Sequence, residues 1–266
     1  MRLGIAYNFF EGSELLEASI REIRDCVDYV LINYQKRSYF NQPAKQEDLD
    51  RLAAIQKSGL IDGVIDFNPE TLWGYANTAY QAKQLERMKR ENGRIALMNY
   101  GKCTHFISMD SDEFYRKDEF IKAKKLIEEK DIWFSACMIK EYVKSPAFQL
   151  EKFEDIYVPF IIKMGFHLTY ERGKGDFMVP TDPTRWYNSV GYSSYKFRPE
   201  ELVMHHMNNI RKNLVWKYQV TSRANLDKKN IPELVQSILM VREDSIFKNR
   251  KIVKVPDYFK IGELIK

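Results

Sequence analysis

The sequence predicts an α/β protein: a mostly parallel central sheet flanked by helices, with a helical extension at the C-terminal end. Three observations carry this. The chain opens as strand, loop, helix, strand. A third strand pattern and a long helical stretch follow. A β-forming run, Thr104 to Met109, then stops abruptly at Asp110-Ser111-Asp112-Glu113.

Leu3–Ala6 reads as the first strand, residues 7–12 as a loop, and Ser13 as an N-cap. Leu15, Leu16, Ile20 and Ile23 recur at helical spacing, and Asp28–Ile32 is a second strand. A β-loop-α-β unit places its two strands side by side and parallel. The loop after the first strand then lies at the C-terminal edge of the sheet, where open α/β folds bind ligands. Gln35–Pro43 is a polar, aromatic loop, and Glu47–Ser58 is a helix with Leu49, Leu52, Ala53 and Ile55 facing in. Gly63–Phe67 is a third strand closed by Asn68-Pro69, residues 73–80 fit no single period, and Gln81–Asn99 is helical, weakened at Asn92-Gly93. That helix leads into the strand 104–109, so the acidic run also falls on the ligand edge.

Asp118–Glu129 is a charged amphipathic helix, and Ile132–Lys140 and Ile156–Lys163 read as strands. Residues 172–185 are turn-rich, with Gly173, Gly175, Pro180 and Pro183. Phe197–Val203 leads to Met204-His205-His206-Met207; Ile210, Leu214, Val215 and Tyr218 then fit one helix, and Asn230 caps another over residues 232–247. Residues 251–266 alternate loosely, as a strand or a tail. With no internal repeat and no low-complexity linker, residues 1–206 read as one catalytic domain and 207–266 as a basic helical extension packed on it.

The composition bounds the function. At 266 residues and 44% hydrophobic, the chain can bury a sizeable core. No apolar run is long enough to span a bilayer, and the N-terminus enters a strand without a leader-like apolar stretch. Cys26, Cys103 and Cys137 are widely spaced and form no CxxC, as expected of reduced thiols in a cytoplasmic protein. Gly173-Lys174-Gly175 fits no phosphate-loop spacing, and there is no GxSxG, HExxH or zinc-ligand pattern. The net charge of +5 is uneven: residues 207–266 hold 13 Lys/Arg against 6 Asp/Glu, a net +7, which leaves −2 on the first 206. A basic C-terminal segment suits a phosphate, an anionic surface or nucleic acid.

Three carboxylates within four residues repel one another unless a cation or a base joins them. A hard divalent cation is a natural partner for such oxygens. Asp110 and Asp112 are two apart, so on an extended chain they point the same way.

An Asp-x-Asp at the end of an internal strand, with β-α-β before it, resembles the DxD signature of GT-A glycosyltransferases. The opening Ile5-Ala6-Tyr7-Asn8, with Glu14-Leu15-Leu16, Ile20 and Val27-Asp28, looks like that family's first nucleotide-binding unit. Residues 101–115, which carry Cys103-Thr104-His105-Phe106 and Met109-Asp110-x-Asp112-Glu113-Phe114-Tyr115, are similar to bacterial and phage members related to glycosyltransferase family 2. So is Met204-His205-His206-Met207 followed by Arg211-Lys212-Asn213.

The resemblance implies a GT-A, Rossmann-like fold and a nucleotide-sugar donor, a UDP-sugar first of all, with Mn²⁺ or Mg²⁺ bridging its diphosphate. It assigns Asp110 and Asp112 to the metal, with His206 or His205 as a further ligand. Adjacent histidines on an extended chain point oppositely, so one of the two is expected to bind. Arg211 and Lys212 become a diphosphate clamp, Tyr7 and Asn8 a nucleobase cradle, and Lys89, Arg94 and Ser111 donor contacts, with Glu113 orienting a ligand from behind. Lys89, Arg90 and Arg94 share the helix before the acidic strand, and Tyr7 reads equally well as core. If transfer inverts the sugar, Asp182, or else Asp176, is the candidate base, although Asp before Pro is also a common turn starter.

The acceptor stays open between a glycan and a hydroxymethylated pyrimidine in phage DNA. The second is suggested by the basic segment with Trp216, Tyr218 and Arg223 interleaved. A metal-dependent nucleotidyltransferase or phosphotransferase, and an inactive binding module, are the competing classes. Repulsion among the acids also predicts that Asp110→Asn or Asp112→Asn leaves the fold intact or steadier while ending turnover.

Overall fold

The computed structural model describes residues 1–165, 181–185, 187, 191–222 and 228–264. In chain order the first half holds β1 (Leu3–Phe9), α1 (Ser13–Ile23), β2 (Tyr29–Tyr34), α2 (Gln46–Lys57), β3 (Gly63–Asp66), α3 (Ala79–Asn99), β4 (His105–Asp110), β5 (Glu113–Phe114) and α4 (Lys117–Glu129). The second half holds β6 (Phe134–Val143), β7 (Ser145–Leu150), β8 (Tyr157–Lys163), β9 (Ser194–Lys196), β10 (Val203–Asn209), α5 (Leu214–Val220), α6 (Ile231–Leu239), β11 (Ile246–Phe247) and β12 (Arg250–Lys254).

Strands β3, β2, β1 and β4 lie side by side and parallel, joined by helical crossovers. β1 is buried along nearly its whole length because helices cover both faces of the sheet there. Leu16 and Ile20 of α1 pack with Phe120 and Ile127 of α4 on one face, and Ala96 and Leu97 of α3 with Phe106 and Leu31 on the other.

Beyond β4 the sheet turns antiparallel, through β8, β6, β7 and β12. The α/β class and helix-flanked sheet match the sequence reading, while the sheet itself is mixed. The reason is connection length. Lys144, at φ 65°, alone separates β6 from β7, and so short a link joins only antiparallel neighbours.

Ser13 opens α1 as its first helical residue and does not cap it. The cap position falls to Gly12, and the Ser13 N–H donates to Asp48 Oδ1 of α2 at 3.0 Å. The helical pattern from 232 to 247 stops at Leu239, where a Ser245 turn bonded to Arg242 leads into the β11–β12 hairpin. Residues 207–266 are therefore part helix and part sheet. The 206/207 boundary cuts β10, and Ile252 of β12 shares a core with Leu150, Leu214 and Ile238.

Helix α3 runs unbroken through Gly93 because tertiary packing outweighs propensity there. A Cβ on Gly93 would lie 2.8 Å from the Ala6 Cβ of β1, so the glycine sets how closely helix and sheet approach. Alanine gains about 1 kcal/mol in helix propensity. Overpacking against a stiff neighbour costs about 1–3 kcal/mol. Gly93→Ala is expected to lower the melting temperature by several degrees in thermal unfolding; an unchanged or raised value would show that the contact relaxes freely.

Candidate active site

A cavity of about 630 Å³ opens at the C-terminal edges of β1 and β4. Asn8 and residues 110–113 form one wall, Lys89 and Arg90 of α3 another, and Glu141, His206 and Asn208 from β6 and β10 the far side. Arg211, Lys217, Lys248 and Arg250 reach it from the C-terminal segment. The acidic turn thus faces the cavity, as the strand-edge argument predicts.

The acids are joined by bases. Asp110 Oδ2 accepts from Arg90 Nη2 at 2.8 Å and Arg185 Nη2 at 3.1 Å. Arg185 also clasps both oxygens of Glu113 and donates to the Ser108 carbonyl. Glu113 Oε2 in turn accepts the Asp110 N–H at 3.0 Å, which closes the turn. Asp112 Oδ2 accepts from Arg211 Nη2 at 2.8 Å and Lys217 Nζ at 3.1 Å, with His206 Nε2 3.6 Å away. Burial would raise the pKa of both aspartates, but the adjacent cations outweigh it. Arg90 and Arg185 lower Asp110, and Lys217, Arg211 and then His206 hold Asp112 well below the carboxylate range. For Glu113, burial wins over Arg185 and its pKa is raised.

Gly12 makes the Arg211 contact possible. Its φ of +80° suits glycine, and a Cβ there would fall 2.5 Å from the Arg211 guanidinium carbon. Arg211 is buried, and its Nε and Nη1 take no partner among the described residues.

Fit to a divalent cation can be judged from the oxygens left over. Among the described residues no group of three His, Cys, Asp or Glu is placed to hold one. Both aspartates meet their cations through Oδ2, and among the described residues the other oxygen of each carries no hydrogen bond, but the Asp110 side chain is 32% exposed and that of Asp112 6%. His206 lines the cavity, 22% exposed at its side chain. This set fits a cation that arrives with a diphosphate and takes most of its ligands from it. It does not fit an ion caged by the protein alone.

The other expected site residues divide. Asn8 lines the cavity, donating to Ser108 Oγ and the Met109 carbonyl, while its own Oδ1 has no partner among the described residues. Ser111 lines it too, with its hydroxyl on the Glu11 carbonyl. Lys89 reaches the wall, but its ammonium is spent on the Phe9 carbonyl at 2.7 Å, and burial depresses its pKa to about 7.

Tyr7 is a core residue, fully buried with its hydroxyl 2.9 Å from Ser19 Oγ, because its side chain points to the α1 face. His205 points away from the cavity onto Tyr142 and Phe259, as strand alternation requires. Arg94 pairs with Glu91 away from the cavity, and Lys212 is exposed outside it. Asp182 lines the cavity with both oxygens engaged, one by Thr184 N–H and Oγ1 and the other by Arg185 Nε at 3.2 Å, so it anchors a turn and an arginine and is not a free base. Asp176 lies outside the described residues.

The basic C-terminal segment divides: Lys212, Lys229, Arg242, Lys251, Lys254 and Lys260 are exposed, and other members turn inward. Tyr218 is buried with its hydroxyl on Asn209, Arg211 and Lys217 turn inward to Asp112, and Arg223 lies outside the described residues. Arg185, Lys217, Glu141, Glu154, Lys248 and Arg250 escape sequence reasoning, since no period links residues so far apart. The uneven charge is the one usable signal: a C-terminal excess of cations answers acids earlier in the chain.

No protein-family model and no curated protein matches the chain. Among solved structures, S. aureus TarS 1–349 is similar at 10% identity and a TM-score of 0.41, covering 90% of this chain and 71% of that one. The same protein in complex with UDP gives 9% identity, a TM-score of 0.43 and 90% and 71% coverage. In complex with UDP-GlcNAc it gives 10%, 0.35, and 90% and 72%. Likeness at that level is loose, and what the site can do is read from its own residues. Among the described residues, no helix is long and apolar enough to cross a membrane.

Proposed function

We propose that this protein is a glycosyltransferase that moves a sugar from a nucleotide-sugar donor, a UDP-sugar first of all, to the hydroxyl of a glycan. One observation carries the reading. The Asp110-Ser111-Asp112 turn at the β4 edge faces a cavity of about 630 Å³, and His206, Arg90, Arg185, Arg211 and Lys217 converge on it. Nucleotide-sized ligands occupy cavities of roughly 300–1,000 Å³.

Breaking the bond between sugar and phosphate leaves negative charge on the departing diphosphate. Donors already fixed in place stabilise that charge without reorganising as it forms. Arg211, held by Asp112 and Glu11, keeps Nε and Nη1 without partners among the described residues, and so does Asn208 its Nδ2. These are the groups assigned to the phosphate and sugar oxygens. The open oxygen of Asp110 and the ring of His206 would hold Mn²⁺ or Mg²⁺, which when bound offsets charge on the diphosphate. Asn8 is assigned to the donor, and Glu113 keeps Arg185 and the turn in register behind it.

A second reading, donor binding without a metal, is favoured by the Arg and Lys partners that already neutralise both aspartates. A thermal-shift panel of UDP-, GDP- and CDP-sugars, run with Mn²⁺ and with chelator, separates the two. A ligand at 100 times its Kd stabilises the native state by about 2.7 kcal/mol. The expected result is a shift with a UDP-sugar in Mn²⁺ that shrinks in chelator and in His206→Ala. An equal shift in chelator selects the metal-free form, no shift with any nucleotide sugar overturns the glycosyltransferase, and release of pyrophosphate in place of UDP would indicate a nucleotidyltransferase. Salt-sensitive duplex binding would select a hydroxymethylated pyrimidine in DNA over a glycan as the acceptor.

A further inference from the structure

We infer that Trp73 and Tyr80 form an aromatic shelf beside the cavity, and that it holds the sugar rings of a neutral glycan acceptor outside the reaction site. The inference rests on the glycosyltransferase reading and deepens it by naming the acceptor's class.

Trp73 is 70% exposed and Tyr80 72%, with the exposed Leu72 next to Trp73 in the chain. Single exposed hydrophobes need no explanation, but large aromatic rings gathered beside a cavity mark a contact surface. Their mount is fixed. The N–H groups of Leu72, Trp73 and Gly74 all donate to the Pro69 carbonyl, at 3.1, 3.2 and 3.1 Å, and the Thr71 hydroxyl donates to the Asn68 carbonyl at 2.9 Å. Thr78 and Gln81 close a reciprocal cap at the start of α3, whose first turn carries Tyr80. Ala76, Ala82 and Leu85 share a small core with Tyr39, Phe40 and Met88, which ties this segment to α3 and to the Tyr39 loop. The backbone is held while the two rings stay in water. Such rings turn about only two χ angles and lose little freedom when a ligand covers them.

The shelf adjoins the cavity. The Tyr39 carbonyl accepts the Ala76 N–H at 2.7 Å, and both Ser38 and Tyr39 line the cavity. Lys83 also lines it, one helical turn from Tyr80. An acceptor whose end enters the cavity can therefore run out along this wall.

Charge selects the occupant. Residues 68–81 contain no Lys or Arg and one carboxylate, Glu70, among Asn68, Thr71, Asn77, Thr78 and Gln81. A nucleic acid or an anionic membrane is held by cations, which this stretch lacks. A neutral glycan is matched by what is present: flat apolar rings for the C–H faces of its sugars, with amides and hydroxyls around them for its hydroxyls.

The test uses the full chain labelled with 5-fluorotryptophan and needs no donor. Of the signals from its four tryptophans, the one missing in Trp73→Tyr belongs to Trp73. Maltohexaose, cellohexaose, hexa-N-acetylchitohexaose, glucose, N-acetylglucosamine, a short DNA duplex and phosphatidylglycerol vesicles are titrated in turn, with affinities from calorimetry. At least one hexasaccharide is expected to move the Trp73 signal and to bind about tenfold more tightly than its monosaccharide, since two rings then engage two sugars. Trp73→Ala and Tyr80→Ala should each weaken that binding about tenfold, as loss of an aromatic anchor does, whereas Trp73→Tyr keeps most of it. Both positions are exposed, so the variants should melt close to native protein. A Trp73 signal that no hexasaccharide moves, that duplex or vesicles move instead, or that shifts with protein concentration alone overturns the shelf, as does native affinity in Trp73→Ala. The nucleotide-sugar panel reports on the transferase separately. Donor binding with an unmoved Trp73 removes the shelf alone, and glycan binding by a chain that no nucleotide sugar stabilises removes the transferase and the acceptor role together.

Discussion

Asp112→Asn is expected to destabilise the protein by about 3–5 kcal/mol, the usual cost of removing one partner from a buried ion pair. Repulsion among three nearby acids predicts the opposite, and the structure reverses the sign. Asp112 is 5% exposed and its Oδ2 is the shared counter-charge of Arg211 and Lys217, themselves 2% and 7% exposed. Asparagine preserves shape but takes the shared carboxylate from two buried cations, of which Arg211 keeps Glu11. For a chain of this size, about 2–4 °C of melting temperature accompanies each kcal/mol, so a fall on the order of 10 °C is expected.

The pH dependence follows from the same geometry. The folded pKa of Asp112 is depressed, so its contribution is fully present above the unfolded carboxylate value of about 3.9 and is lost as pH falls through the folded one. The gap between native and Asp112→Asn should therefore be constant near neutrality and close below about pH 4. Asp110→Asn should cost less, because Arg90 keeps Glu86 and Arg185 keeps Glu113. Equal melting temperatures for native protein and Asp112→Asn would contradict this account.

Arg185→Met is the second large effect. Arg185 is 2% exposed and faces Glu113, Asp110 and Asp182 at once. Removing it strands the buried Glu113 carboxyl, whose pKa burial already raises, and frees the turn that aims Asp110. A loss of about 3–5 kcal/mol is expected. Arg185→Lys should recover only part of it, since an ammonium cannot span both Glu113 oxygens. Chemical denaturation of the two variants beside native protein measures this, and a lysine variant as stable as native would show that charge alone suffices.

What was legible in the residues depended on range. The β1–α1–β2 unit, α2, α4 and the strand leading to Asp110 follow from periodicity within ten or so residues, and they appear within a residue or two of expectation, except that β1 runs on to Phe9, three residues past its expected end. Boundaries failed where a distant partner decides them. Asp48 supplies the bond at the start of α1 that Ser13 does not, and Ala6 explains why Gly93 does not break α3.

The sequence by itself determined an α/β frame with an acidic turn on its ligand edge, because strand and helix periods and chain alternation are local properties. It also required that something positive join those acids, with a divalent ion as a natural partner. Only the tertiary structure showed which bases meet them. It brought Arg90, Arg185, Arg211 and Lys217 onto the two aspartates from three different segments, and sent His206 into the cavity and His205 into the core. Contacts between residues 20 to 105 positions apart leave no period to read, and the free energy that selects them exists only once the chain has closed around them.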